Sequence, residues 1–141
     1  MKNVYDLIGR VFVSLIFIFE AVDSIRYFKP TKETMTEYGI HWNQDILLVG
    51  AIIFLILGGL LLLTGYRIKL GAFLLLLYWL PVTFIVYSFW NDPQEIQRLH
   101  SIYFMKNLGI AGALFVIIAN GSGKFSIKRL MVVTRIKKGE T

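Results

Sequence analysis

Four runs of this chain, at residues 7–28, 46–64, 70–90 and 101–119, are apolar over the length that a lipid bilayer demands. A hydrocarbon core of about 30 Å takes about 20 helical residues per crossing. The runs are continuous and Leu-rich, without the apolar–polar alternation of a lumen-facing barrel strand. Helices also satisfy their own backbone groups, as lipid requires. The pattern predicts an all-α membrane protein, a bundle of four transmembrane helices that uses most of the 141 residues. Residues 1–123 would form that single domain and 124–141 a basic tail at the membrane interface, with apolar residues toward lipid and cations toward headgroups. Lys2 and Arg10 ahead of an apolar stretch could mark a signal peptide, but the stretch closes on Phe-Glu-Ala-Val-Asp and not on a small-residue cleavage site, so retention as a helix is expected.

Charge sets the orientation. Lys2, Arg10, Arg67, Lys69, Lys124, Lys128, Arg129, Arg135, Lys137 and Lys138 fall at both termini and in the second loop. Glu20, Asp23, Glu33, Glu37, Asp45, Asp92 and Glu95 gather around the first and third loops. Basic segments stay cytoplasmic, so both termini are expected inside. The basic tail has anionic headgroups as its natural partner and not nucleic acid. Arg10 is expected to snorkel to the inner headgroups. The chain has no cysteine, which excludes disulfides, thiol redox chemistry and cysteine-ligated clusters. His41 and His100 are too few for a metal or haem site.

Local signals place the elements. Pro30 stops the first helix, and a short helix is expected near residues 31–38, before Gly39. Asn43 or Asp45 would cap the second long helix. Gly58 and Gly59 suit close backbone packing between membrane helices. Gly65-Tyr-Arg-Ile-Lys makes a turn tight enough to force antiparallel neighbours. Pro81 should kink the third long helix, and Trp79, Thr83, Tyr87 and Trp90 share one of its faces. Tyr87 and Trp90 also suit an interfacial aromatic belt. Asp92-Pro93 with Glu95 reads as a capping box opening the last helix, which Asn120-Gly121 ends.

Ionisable groups inside lipid are expensive, about 2.5–3.5 kcal/mol each on insertion scales. Glu20, Asp23, Ser24 and Tyr27 share one helical face, with Arg26 within ion-pair reach of Asp23. At about 1.5 Å per residue, Glu20 and Asp23 lie roughly 8–12 Å below the outer boundary and Lys106 about 8 Å. Tyr103 and Asn107 flank Lys106, while Thr83 and Tyr87 reach a similar depth. Arg98 and His100 lie in the part of the last helix outside the lipid. A polar pocket in the outer half of the bundle is expected, in which Lys106 pairs with Glu20 or Asp23. Such a pair either binds a polar headgroup or only fixes helix register.

Gly9-Arg10, Gly58-Gly59-Leu-Leu-Leu-Leu-Thr-Gly65, Phe84-Ile-Val-Tyr-Ser-Phe-Trp90, Asp92-Pro93 and Phe104-Met-Lys-Asn-Leu108 follow in that order. Together, over residues 8–129, they resemble the DoxX family of small four-helix membrane proteins. The resemblance implies a bacterial inner-membrane protein, since some members are subunits of thiosulfate:quinone oxidoreductases and others serve oxidative-stress complexes. The chain departs from many relatives: Leu55 stands where they carry glutamate before the paired glycines, and Tyr87 and Tyr103 where they carry histidine. Its acids lie instead on the first helix.

The leading expectation is a binding or accessory subunit, at most part of a membrane oxidoreductase. Tyrosine hydroxyls, Asn107 and Lys106 would hydrogen-bond quinone carbonyls, and electrons would come from a partner because no bound redox centre is readable. Two alternatives stay open. One is a solute or proton-coupled carrier with Glu20, Asp23 and Lys106 as relays, working as a homo-oligomer. The other is a scaffold within a larger membrane complex.

Overall fold

The computed structural model describes residues 1–139. Among them every regular element is helical: α1 (Lys2–Arg26), α2 (Phe28–Glu37), α3 (Gln44–Thr64), α4 (Ile68–Val86), a 3-10 turn (Phe89–Asn91), α5 (Gln94–Asn120) and α6 (Ile127–Gly139). Consecutive long helices pack against each other, α1 on α3, α3 on α4 and α4 on α5, and α1 touches α5 more briefly. The short α2 lies across α1 and α3.

Each long helix turns one stripe inward at intervals of three or four residues, the spacing that keeps side chains on one helical face. On α1 the buried stripe is Arg10, Ser14, Phe17, Ala21 and Ser24. On α5 it is Phe104, Asn107, Ala111 and Leu114. Phe17, Leu55, Leu62, Leu75 and Leu114 meet in the core with Trp79, whose ring stands edge-on to Phe17 at 5.0 Å. Outward faces are equally apolar: Phe19, Phe54, Leu57, Phe73, Phe115 and Val116 are all exposed. A helix apolar on every side belongs in lipid. Three segments, Gln44–Thr64, Ile68–Asn91 and Gln94–Asn120, are long and apolar enough to cross a membrane. At about 1.5 Å per residue, α3 with its 21 residues spans about 31 Å. α1 is long enough but carries Asp6, Arg10, Glu20 and Asp23 along its length.

Close helix contact rests on glycine. A Cβ on Gly58 would come 2.5 Å from Leu75 Cγ, and one on Gly71 would come 2.7 Å from Leu61 Cβ. Gly59 faces α1 instead, with Ile18 Cγ1 at 3.0 Å from the same hypothetical atom. The backbones of α3 and α4 therefore meet where neither carries a side chain.

Several local expectations need correction. α4 ends at Val86, short of Trp90. Asp92, before proline, is held extended (φ −87°, ψ 150°), so no helix could run through it, and the chain reaches it from α4 by way of the 3-10 turn Phe89–Asn91. No capping box forms at α5. Pro93 is the N-cap, its carbonyl taking the Ile96 and Gln97 amides at 3.1 and 3.0 Å, while Asp92 turns its carboxylate to His100. Asn43 is the α3 N-cap but makes no side-chain cap bond, since it sits in the left-handed region at φ 42°.

Arg10 does not snorkel. Its side chain is 1% exposed. Nε donates to Asp6 Oδ2 at 3.0 Å, Nη1 approaches the Leu62 carbonyl at 3.5 Å, and Nη2 donates to the Phe125 carbonyl. A guanidinium is weakly hydrated and offers five donors in a planar fork, so three acceptors from α1, α3 and the segment before α6 can hold it inside.

Candidate functional site

The outer pocket does not form around Lys106. Lys106 is exposed, with Nζ 5.8 Å from the Tyr103 ring centroid. Among the described residues it makes no ion pair with Glu20 or Asp23. Depth along a helix fixes height but not direction, and Lys106 lies one residue off the inward stripe of α5. Asn107 is on that stripe and buried, and its backbone carbonyl accepts the Trp79 indole N–H at 3.1 Å. Thr83 is buried as well, but its hydroxyl donates to the Trp79 carbonyl at 2.7 Å. Arg26 is exposed and lies over the Tyr27 ring at 5.7 Å, unpaired with Asp23, which is half-buried.

Glu20 and Tyr87 do come together, in a cavity of about 430 Å³ between α1, α2, α3 and α4. α2 forms one wall through Pro30, Thr31, Thr34 and Met35, and Leu47, Leu48 and Ala51 of α3 form another. α4 supplies Leu77, Tyr78, Pro81, Val82 and Ile85, continued by Tyr87. Pro81 has no N–H to give the Leu77 carbonyl four residues back, and both residues line this space. The Thr31 and Thr34 hydroxyls are turned to the Tyr27 and Pro30 carbonyls, at 2.8 and 3.1 Å. What remains is an apolar enclosure with one carboxylate, Glu20, and three phenols, Tyr38, Tyr78 and Tyr87. Among the described residues none of these four side chains has a hydrogen-bond partner in the protein. Burial, and behind it the carboxylates of Asp92 and Glu37, hold the Tyr38 phenol above its usual range. It is therefore a protonated donor at neutral pH.

A polar and aromatic layer backs the cavity on the α5 side. His100 Nδ1 and Asp92 Oδ2 stand 2.6 Å apart, with both side chains mostly buried. The Tyr87 ring lies 5.6 Å from those of His100 and Tyr103. Asp92 thus holds His100, and His100 with Tyr103 holds Tyr87 at the cavity edge. Phe84, Phe89 and Trp90 close around Phe104 at 5.4–5.7 Å.

Tyr38 and Tyr78 escaped the sequence reading. Tyr78 neighbours Pro81 on the face turned away from the stripe of Trp79 and Thr83, and a tyrosine at mid-helix, far from any interfacial belt, was the available signal. Nothing local marks Tyr38, which reaches the cavity because α2 folds back over α3.

Comparison with known proteins supports the membrane reading. The chain is 27% identical over 128 residues to the inner membrane protein YphA of Escherichia coli K12, covering 91% of both chains. It is 26% identical over 131 residues to the inner membrane protein YqjF of the same organism, covering 93% of this chain and 95% of that one. A shorter likeness, 34% over 65 residues, links 45% of the chain to 22% of a Surfeit locus protein 4 homolog of Schizosaccharomyces pombe. No solved structure matches. The DoxX family model matches residues 5–88, so it ends before α5 and its Phe104-Met-Lys-Asn-Leu108 segment. With that match over more than half its length, several membrane-length helices and two full-length inner-membrane relatives, the chain belongs to the DoxX family of integral bacterial inner-membrane proteins.

Proposed function

We propose that this protein binds a small amphipathic molecule of the quinone class in the cavity beneath α2, as the ligand-holding subunit of a membrane redox assembly. The observation that carries this reading is the pairing of one carboxylate with three phenols in an otherwise apolar space of about 430 Å³. That volume falls in the range of small-molecule sites, which combine apolar walls with a few placed polar groups. Tyr38, Tyr78 and Tyr87 would donate to the quinone carbonyls while Leu77, Pro81 and Met35 cover the ring. Reduction to the quinol takes two electrons and two protons. Glu20 is placed to pass protons, and the electrons would come from a partner subunit, since a quinone carries the redox chemistry and the protein only binds and orients it.

In this reading α1 is the fourth span. Arg10 and Asp6 neutralise each other at 3.0 Å, Glu20 faces the cavity, and exposed Phe12, Leu15, Phe19 and Val22 face lipid. Both termini are cytoplasmic by the distribution of Lys and Arg, which places the cavity toward the outer leaflet. α6, with exposed Leu130, Val133 and Ile136, lies along the inner surface.

Titration of detergent-purified protein with decylubiquinone, followed by calorimetry, tests the reading. Saturable binding that weakens about fivefold in Tyr78→Phe, the loss of one hydrogen bond of about 1 kcal/mol, is expected. Absence of binding, or binding indifferent to both Tyr78→Phe and Glu20→Gln, would refute it.

A further inference from the structure

The opposite end of the bundle, which carries both termini, holds a second kind of concavity. A space of about 530 Å³ is lined by Lys2, Lys124, Lys128 and Arg129, and an adjoining one of about 390 Å³ by Arg67, Lys69 and again Lys128. Gly121, Ser122 and Lys128 line both, so the two share a wall. Six cations thus converge on the loop between α5 and α6. Among the described residues none of them has a carboxylate partner. The one acid in the lining, Asp6, is taken by Arg10.

The seat is built and not a by-product of a loose tail. The Arg10 fork binds the Phe125 carbonyl, and Ser126 is buried against Gly65, which fixes the loop on the α3–α4 turn. Gly123 packs on the Asp6 carboxylate where a Cβ would not fit. These cations lie beside the ends of α3, α4 and α5, and the ends of membrane-length helices are where a headgroup layer would meet them. Like charges held together in one concavity repel unless an anion is shared among them.

We propose that this seat binds the phosphate of an anion at the membrane surface. The shared chemistry is a phosphate ester carrying net negative charge, and the two sources are an anionic phospholipid headgroup and a free phosphate compound. The site is separate from the cavity under α2, and its test does not involve quinone.

Delipidated full-length protein in detergent is titrated with phosphatidylglycerol, and bound lipid is counted by native mass spectrometry, with zwitterionic phosphatidylcholine, whose net charge is zero, as the comparison. Phosphatidylglycerol should bind preferentially, and K128Q/R129Q should weaken it about 25-fold, about fivefold per cation lost at a membrane surface. A charge-matched control, R26Q/R98Q, removes two exposed cations from outside the seat and should leave binding within twofold. Inorganic phosphate at 10 mM separates the sources: failure to displace the lipid identifies a headgroup seat, and full displacement identifies a soluble phosphate seat. Equal weakening in both double variants, or no preference over phosphatidylcholine together with no phosphate effect, would overturn the proposal.

Discussion

Replacing Arg10 with methionine should loosen the tail before it disturbs the bundle. Arg10 is 1% exposed and binds Asp6, the Leu62 carbonyl and the Phe125 carbonyl. Methionine fills similar space but offers no donor. The Leu62 contact, at 3.5 Å, sits at the limit of a hydrogen bond and contributes little. The bond to the Phe125 carbonyl is charge-assisted, a class worth about 1.5–3 kcal/mol. Asp6 keeps 27% exposure and can turn to water, so its loss costs about 1 kcal/mol and not the larger penalty of a stranded buried charge. The sum is about 3 kcal/mol, a fall of about 10 °C in midpoint for a chain of this size. Thermal unfolding in detergent by tryptophan fluorescence measures it, and limited trypsin digestion at Lys124, Lys128 and Arg129 reports release of the tail. Arg10→Lys should fall between, since an ammonium cannot fork to acceptors on three segments. A loss below about 1 kcal/mol with unchanged trypsin resistance would show that Arg10 does not tie the tail to the bundle.

Gly71→Leu should cost about 1–3 kcal/mol by overpacking against Leu61 and Leu62, measured as a lowered unfolding midpoint. Trp79→Phe should lose about 1 kcal/mol through the missing bond to the Asn107 carbonyl, whereas Asn107→Ala leaves that backbone acceptor in place; the same thermal assay separates them. Lys106→Met should change stability by less than about 0.5 kcal/mol and leave quinone-analogue affinity unaltered, because its side chain is exposed. Asp92→Ala should cost about 1–2 kcal/mol by freeing His100, and the freed Tyr87 should lower ligand affinity as well.

The long helices were legible because bilayer length and Leu-rich continuity leave little else for such segments to be. α2 was legible from Gly39, but it begins at Phe28 and carries Pro30 in its own first turn; α1 stops earlier, at Arg26, so Pro30 is not what ends it. Of the candidate site, the depth count along each helix gave height and not direction. Glu20 and Tyr87 line one cavity, whereas Lys106, placed by depth alone, is exposed. The inward spacing of Phe104, Asn107, Ala111 and Leu114 already excluded it from the core. Arg10 was misread for a different reason. Its position on the stripe with Ser14, Phe17 and Ala21 pointed inward, but its Phe125 partner lies 115 residues away, beyond any local pattern. Tyr38 likewise depends on how α2 folds over α3, which hydrophobic periodicity does not encode.

Where a ligand sits is the most direct question to put to this protein. An azido-substituted ubiquinone analogue, photoactivated on the full-length protein in native-like nanodiscs and mapped by peptide mass spectrometry, answers it. Label on Met35 and on the 77–87 segment, abolished by excess decylubiquinone and reduced in Glu20→Gln, is the predicted result. Label concentrated on the exposed face of α5 around Lys106, or spread evenly over the lipid-facing surface, would contradict the assignment of the cavity as a binding site.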